Sequence, residues 1–169
     1  MSQSSAGPSQ SEPDLGHELA AVFRWHPAAA AVVTAPGKAG PVGMTVSSLA
    51  SVSVDPPLVS MSMGHSSKTL AELEIGSRIV IHPLDAGQER LGNEFARHGG
   101  TVPASCWQIS EEGVPCLNVT TPRLHCEVVR MVDLGVSTLL VAQADRIEPG
   151  RRGPAGMVWM GRRWYSVSR

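Results

Sequence analysis

Charge is scarce in this chain and neither sign dominates: charged residues make up 17% of the 169, with 14 Lys and Arg against 15 Asp and Glu, a formal net charge of −1. Binding a phosphate backbone needs a concentrated basic surface, so nucleic acid is not an expected partner. Aromatic residues are few, at 4%, and there are only three cysteines, Cys106, Cys116 and Cys126. Three cannot all pair within one chain, and none stands in a Cys-x-x-Cys spacing. Neither a disulfide framework nor a zinc site is indicated, and a reducing cytoplasmic setting fits. The chain has no run of eighteen apolar residues, which excludes a membrane-spanning helix. It also lacks G-x-x-x-x-G-K-S/T, a G-x-G-x-x-G opening a helix after a strand, H-E-x-x-H and G-x-S-x-G. Nucleotide cleavage, a Rossmann unit, a zinc peptidase and a serine hydrolase therefore have no support. The six histidines, His17, His26, His65, His82, His98 and His125, are dispersed without an i,i+4 pair, so no metal is expected.

What is present is apolar residue in ordinary globular proportion, 42%, in a chain long enough for one domain with a sizeable core. The opening "MSQSSAGPSQSEPD" is polar and has neither a basic n-region nor an apolar h-region. It reads as a disordered tail over 1–13 rather than a signal peptide, with the domain running over 14–169.

Asp14 is placed to cap a short helix whose apolar face is Leu15, Leu19, Val22 and Phe23. Pro27 stops that helix near Trp25 and His26. "AAAAVVTA" (28–35) reads as a buried strand, "PGKAGP" as a turn, and Val42 to Val46 as the return strand. A Ser-rich crossing, "SSLASVSVD", leads to Pro56 and Pro57. "LVSMSM" follows, with Leu58, Ser60 and Ser62 on one face and Val59, Met61 and Met63 on the other. Ser66 or Ser67 is placed to cap a helix "KTLAELEIG", and Arg78 to Leu84 is a further strand. A helix carrying Leu91 and Phe95 ends at Gly99 and Gly100, and 101–119 reads as a loop anchored by Trp107 and Leu117. A long hairpin turns around Asp133 to Gly135, and a short one about Gly161 closes the chain. Six or seven short strands with two or three inserted helices predict a mainly β chain with helices (α+β), an antiparallel barrel rather than a doubly wound sheet.

The hydroxyls are concentrated in two places, "GMTVSSLASVSVD" and "HSSKTL". Short hydroxyls and backbone N–H groups at a strand end can hydrogen-bond the edges of a flat heteroaromatic ring. Hydroxyls and Lys68 at a helix start suit an anion. Together they describe a mononucleotide such as FMN. Ser-rich strand edges and Ser helix caps also occur without any ligand, so residue type and spacing leave a purely structural or interaction domain open.

The order "HPAAAAVVTA", a turn, "GPVGMTVSSLASVSVDPPLVSMSM", "SSKTLAELEIGSRIVIHPLDAGQERLGNEFA", "GVPCL" and a terminal strand pair resembles the flavin reductase family, which has an FMN-binding split-barrel fold. The resemblance runs from about Leu15 to Tyr165 and implies an NAD(P)H:flavin oxidoreductase that supplies reduced flavin to a two-component monooxygenase. Carried over by position, it implies that Met44, Thr45, Val46, Ser47 and Ser48 line the isoalloxazine ring and that Ser62 and Met63 contact the ring or ribityl chain. Ser67, Lys68 and Thr69 would hold the phosphate, with Arg97 as a further anion partner. It also implies FMN or FAD as the flavin, NADH or NADPH as the donor, and a homodimer. The late segments "VDLGVSTLL" and "WMGRRWY" lack the histidines of the family pattern. Arg151, Arg152, Arg162 and Arg163 either solvate a hairpin or meet the extra phosphate of NADPH. The alternative function is a split-barrel protein that binds a flavin or deazaflavin without reducing it.

Overall fold

A computed structural model describes residues 14–97, 106–110, 112–151, 153 and 155–168. The expected tail and the expected stop of the second helix at Gly99 and Gly100 lie outside these. In chain order the elements are α1 (Leu15–Arg24), β1 (Ala28–Ala29), β2 (Ala31–Ala35), β3 (Val42–Val46), β4 (Ala50–Val54), β5 (Pro57–Gly64), β6 (Arg78–Pro83), α2 (Glu89–Arg97), β7 (Trp107–Ile109), β8 (Pro115–Leu117), β9 (Arg123–Asp133), β10 (Ser137–Glu148), β11 (Ala155–Met160) and β12 (Arg163–Ser168).

Seven strands form one antiparallel sheet in the order β3-β2-β6-β9-β10-β5-β4. β3 and β4 are its two edges, yet only residues 47–49 connect them. A flat sheet of that order would be roughly 29 Å across at the usual strand spacing. Three linking residues reach at most about 15 Å. The sheet therefore curls until its edges meet, giving a barrel with a seam where β3 passes β4 and β5.

The barrel is filled by one side of each strand: Ala31, Val33 and Ala35 from β2, Met61 and Met63 from β5, Ile79 and Ile81 from β6, Val128 and Leu140 from the long hairpin. β2 is buried along its whole length, because its other face meets a second apolar layer of Val32, Leu84, Phe95, Leu117 and Met157. A strand covered on both sides reads as a continuous apolar run, as "AVVTA" does. α2 lies in this second layer. A Cβ at Gly43 would stand 2.6 Å from the Phe95 ring and 2.9 Å from the Val33 carbonyl oxygen, so the bare glycine is what lets α2 rest directly on β3. A small outer sheet, β1-β11-β12, meets α2 through Trp164 of β12, whose ring lies against Gly92.

The expected barrel with helical decoration is present, and four local expectations change. The expected strand 28–35 breaks at Ala30 into β1 and β2, which join different sheets. The Ser-rich "crossing" is β4, which forms a hairpin with β5 around a cis Asp55–Pro56 bond, and Pro57 heads β5, where a missing N–H is tolerated. The helix expected after Ser66 is only a 3₁₀ turn, Leu70–Glu72. Leu70 and Leu73 both plug the barrel core, and Leu73 takes extended backbone to do so. The expected loop at 101–119 contains the β7–β8 hairpin, in which the two predicted anchors, Trp107 and Leu117, face each other directly. α1 is capped by Asp14, whose carboxylate accepts from Gly16 N–H and His17 N–H. Its apolar stripe lies in the open, Leu15 73% and Val22 70% exposed. No helix among the described residues is long and apolar enough to cross a membrane.

His82 is fully buried on β6. Thr34 Oγ1 donates to the Pro115 carbonyl at 2.6 Å, so at the 3.2 Å contact with His82 it accepts from Nε2–H, and Nδ1 has no partner among the described residues. Burial pushes this imidazole down to about 3, with the charges of Arg123 and His125 acting in the same direction. The unfolded chain protonates His82 near 6.5 and the folded chain does not, so stability is complete above pH 6.5 and falls as pH drops below it. The expected loss between pH 6.5 and 5 is about 2 kcal/mol, read as a lower urea midpoint. His82→Leu should flatten that dependence; a wild-type midpoint that does not move over this window refutes it.

Candidate functional site

The seam organises the hydroxyl cluster. Ser48 Oγ accepts the Ser62 N–H at 2.9 Å and donates to the Ser62 carbonyl at 3.1 Å. One side chain thus supplies both halves of a ladder pair between the linker and β5. Val46 and Met63 point the other way, into the barrel core, so only their backbone groups are available to a ligand.

A cavity of about 380 Å³ opens beside the seam. Met44 and Thr45 of β3 line one side, Ser66, Ser67 and Lys68 of the turn after β5 a second, and Ala96 and Arg97 of α2 a third. Ser67 Oγ donates to Met44 Sδ at 3.1 Å and accepts from Leu70 N–H at 3.2 Å, which locks the turn onto β3. Thr45 Oγ1 donates to the Gly92 carbonyl at 2.6 Å and ties β3 to α2. Lys68 and Arg97 are both exposed at the rim, and neither has a carboxylate partner among the described residues. With no full helix after Ser67, the anion preference expected from a helix dipole is absent. With the Ser67 and Thr45 protons already given to Met44 Sδ and the Gly92 carbonyl, the Ser66 hydroxyl and two cations without a carboxylate partner among the described residues remain to attract negative charge. Thr69 does not line the cavity: it is fully buried, and its Oγ1 has no hydrogen-bond partner among the described residues.

The structure thus brings Met44, Thr45, Ser67, Lys68 and Arg97 around one volume and places Ser48 and Ser62 on each other. Ser47 lines a contiguous smaller cavity of about 210 Å³ that shares Thr45 and Ala96 with the first. Its remaining walls, Asn93, Trp159 and Trp164, were not expected from sequence. The signal was there: a two-residue turn at Gly161 and Arg162 makes 159 and 164 cross-strand partners, and two tryptophans so placed face each other. Their rings meet edge-on at 4.6 Å. Of the four late arginines, Arg152 lies outside the described residues, and Arg162 holds the turn at φ 64°.

A separate charged group is internally neutralised. In a third cavity of about 490 Å³, Arg123 binds Glu148 at 3.0 Å, Arg146 spans Glu148 and Glu112, and buried His125 donates to Glu148 at 2.9 Å. Burial pushes the Glu148 carboxyl up, but His125, Arg123 and Arg146 together hold it below the usual carboxylate range. Burial raises the Cys126 thiol to about 12, which removes it as a nucleophile. Among the described residues no group of three His, Cys, Asp or Glu could hold a metal ion.

The family model for a flavin reductase like domain matches residues 23–168. Among curated proteins, the FMN reductase (NADH) of Agrobacterium fabrum is 40% identical over 115 residues, 68% of this chain and 66% of that protein. The matched segment thus spans about two thirds of that relative's length. Among solved structures, the NADH:FAD oxidoreductase of Streptomyces globisporus in complex with NAD and FAD fragments is 30% identical, with a TM-score of 0.78 over 94% of this chain and 96% of that one. A flavin reductase domain protein from Arthrobacter sp. FB24 superposes with a TM-score of 0.85 at 21% identity, over 91% of this chain and 96% of that one, a likeness of fold.

Removing an unpaired buried hydroxyl while keeping its shape is neutral or stabilising. Thr69→Val in the ligand-free protein is therefore expected to leave Tm unchanged or raise it by up to about 3 °C. A clear fall in the melting curve would show that the hydroxyl has a partner.

Proposed function

The chain belongs to the flavin reductase-like family, and on that footing we propose that it is an NAD(P)H-dependent flavin reductase acting on FMN or FAD and supplying reduced flavin to a partner monooxygenase. The observation that carries this reading is the seam cavity, where hydroxyls of β3 and of the turn after β5 converge with two cations that have no carboxylate partner among the described residues. A flavin mononucleotide needs this pairing: polar groups along the edge of a ring and positive charge at a phosphate. A volume of about 380 Å³ lies within the range of small-molecule sites.

In this reading Met44 and Thr45 lie against the ring, with Ser47 beside them and the backbone of Val46 and Ser48 offering further hydrogen bonds. Ser62 and the backbone of Met63 flank the ribityl chain. Ser67, Lys68 and Arg97 hold the phosphate, and Thr69 supports that turn from beneath. Bound flavin supplies the hydride-accepting ring. The chain's own work is to orient that ring through the Thr45 and Met44 wall, to hold the phosphate by charge and to exclude water with Phe95 and Ala96. No side-chain acid or base is needed, and none lines the cavity apart from the two cations. NADH is the favoured donor, in keeping with the names of the relatives, and the protein works as a cytoplasmic homodimer whose domain is 14–169.

Purified protein is expected to quench FMN fluorescence with micromolar affinity and to oxidise NADH, followed at 340 nm, only when flavin is present. Bound flavin that is never reduced would favour a flavin- or deazaflavin-binding protein without reductase activity. Lys68→Ala and Arg97→Ala should each weaken FMN about three- to tenfold, because both are exposed and screened, and leave riboflavin unaffected, since it lacks the phosphate. Equal losses for riboflavin and FMN would remove these residues from the phosphate site.

A further inference from the structure

We propose that His65, in the turn after β5, is a positioning residue for the anionic end of the flavin: it fastens the segment carrying Ser66 and Lys68 to the β9–β10 hairpin. This rests on the flavin reductase reading and deepens it, by assigning what holds the phosphate-binding turn in place.

The turn begins where β5 ends, at Gly64, which pairs with Ser137 of β10. Gly64, Ser66, Ser67 and Lys68 all line the seam cavity, whereas His65 does not. Its ring meets the neighbouring hairpin instead. Nε2 stands 3.2 Å from Thr138 Oγ1 and 3.4 Å from Asp133 Oδ1, and the His65 N–H donates to the Val136 carbonyl at 3.1 Å. The Asp133 carboxylate only accepts, so a proton on Nε2 serves both oxygens.

The receiving groups are fixed without His65. Asp133 Oδ1 also accepts the Gly135 N–H at 2.8 Å, and the Leu134 N–H donates to the Ser137 carbonyl at 2.8 Å, so the hairpin holds its own tip. Thr138 is buried in the sheet between β5 and β9. On the other flank, Ser67 Oγ ties the same turn to Met44 and to the Leu70 N–H. The turn is thus held from two sides, by Ser67 on β3 and by His65 on the hairpin. Lys68 is exposed and has no carboxylate partner among the described residues, so its place at the rim depends on the backbone that carries it. A cation ordered before the ligand arrives spares the cost of ordering it on binding. The His65 and Asp133 side chains are 41% and 77% exposed, and such a pair adds little to stability, so it can be removed without unfolding the barrel.

The test titrates the full chain with FMN and, separately, with riboflavin, and follows NADH oxidation while FMN is varied. His65→Ala should weaken FMN about three- to fivefold, the scale of one screened surface pair, raise the KM for FMN by the same factor and leave kcat and the riboflavin Kd unchanged. His65→Gln, whose amide N–H stands near the position of Nε2, should recover most of the loss. Thr138→Val should cause a smaller loss alone and add none to His65→Ala. An FMN Kd unchanged in His65→Ala, equal losses for FMN and riboflavin, no recovery in His65→Gln, or additive losses in the double variant each overturn the assignment. If His65→Ala fails to fold by circular dichroism, His65→Asn, one methylene shorter than His65→Gln, takes its place with the same expected difference. Failure of the underlying reading is separate and is seen in the wild type: protein that binds neither FMN nor riboflavin, or oxidises no NADH with flavin present, is not a flavin reductase, and the role of His65 falls with it.

Discussion

The fold and the site both depend on one constraint: a three-residue link joins strands that stand at opposite edges of a seven-stranded sheet. Because residues 47–49 cannot span a flat sheet, the sheet must close. At the closure, the ladder that would normally pair β3 with its neighbour is replaced by Ser48 hydrogen-bonded both ways to the Ser62 backbone. An edge left unpaired would be an invitation to pair with another chain. A serine in this position satisfies the edge locally and leaves the adjoining groove free for a ligand.

The same closure brings two cations from distant parts of the chain to one cavity. α2 lies across the outside of β3, seated by Gly43 and tied by Thr45, and its last described turn delivers Arg97 opposite Lys68. On the far side of the barrel sheet, by contrast, Arg123, Arg146, Glu112 and Glu148 form one mutually neutralising network. Two cations without a carboxylate partner among the described residues, in one cavity with the hydroxyls of Thr45 and Ser67, are what the proposed reading takes as a phosphate-binding end.

Much of the architecture was legible from one dimension. The alternation Val59, Met61, Met63 against Ser60 and Ser62 names the inner and outer faces of β5, and "AVVTA" announces a strand covered on both sides. Hairpins at Gly135 and Gly161 follow from turn chemistry. The misreadings share one cause. A helix after Ser67 satisfied every local rule, yet Leu70 and Leu73 are needed as plugs in the barrel, and that burial outweighs propensity. The stripe on α1 has perfect helical spacing yet lies exposed among the described residues, with Phe23 edge-on to the nearby His26 ring, because amphipathic spacing predicts a helix without specifying what covers it.

The candidate site divides along the same line. Sequence alone determined which residue types were on hand: the hydroxyls of "MTVSS" and "SSK", the lysine, the arginine closing α2 and two tryptophans flanking a tight turn. Those are covalent and local facts, set by composition and by the periodicity of strand and helix. Only the tertiary structure decided which of them look at one another. It turned Val46 and Met63 inward, spent Ser48 on the seam, buried the Thr69 hydroxyl without a partner among the described residues, and brought Trp159 and Trp164 to the smaller cavity that shares Thr45 and Ala96 with the charged one. These choices depend on sheet closure and on two glycines that admit close approach, both contacts between residues far apart in the chain, which no local pattern encodes.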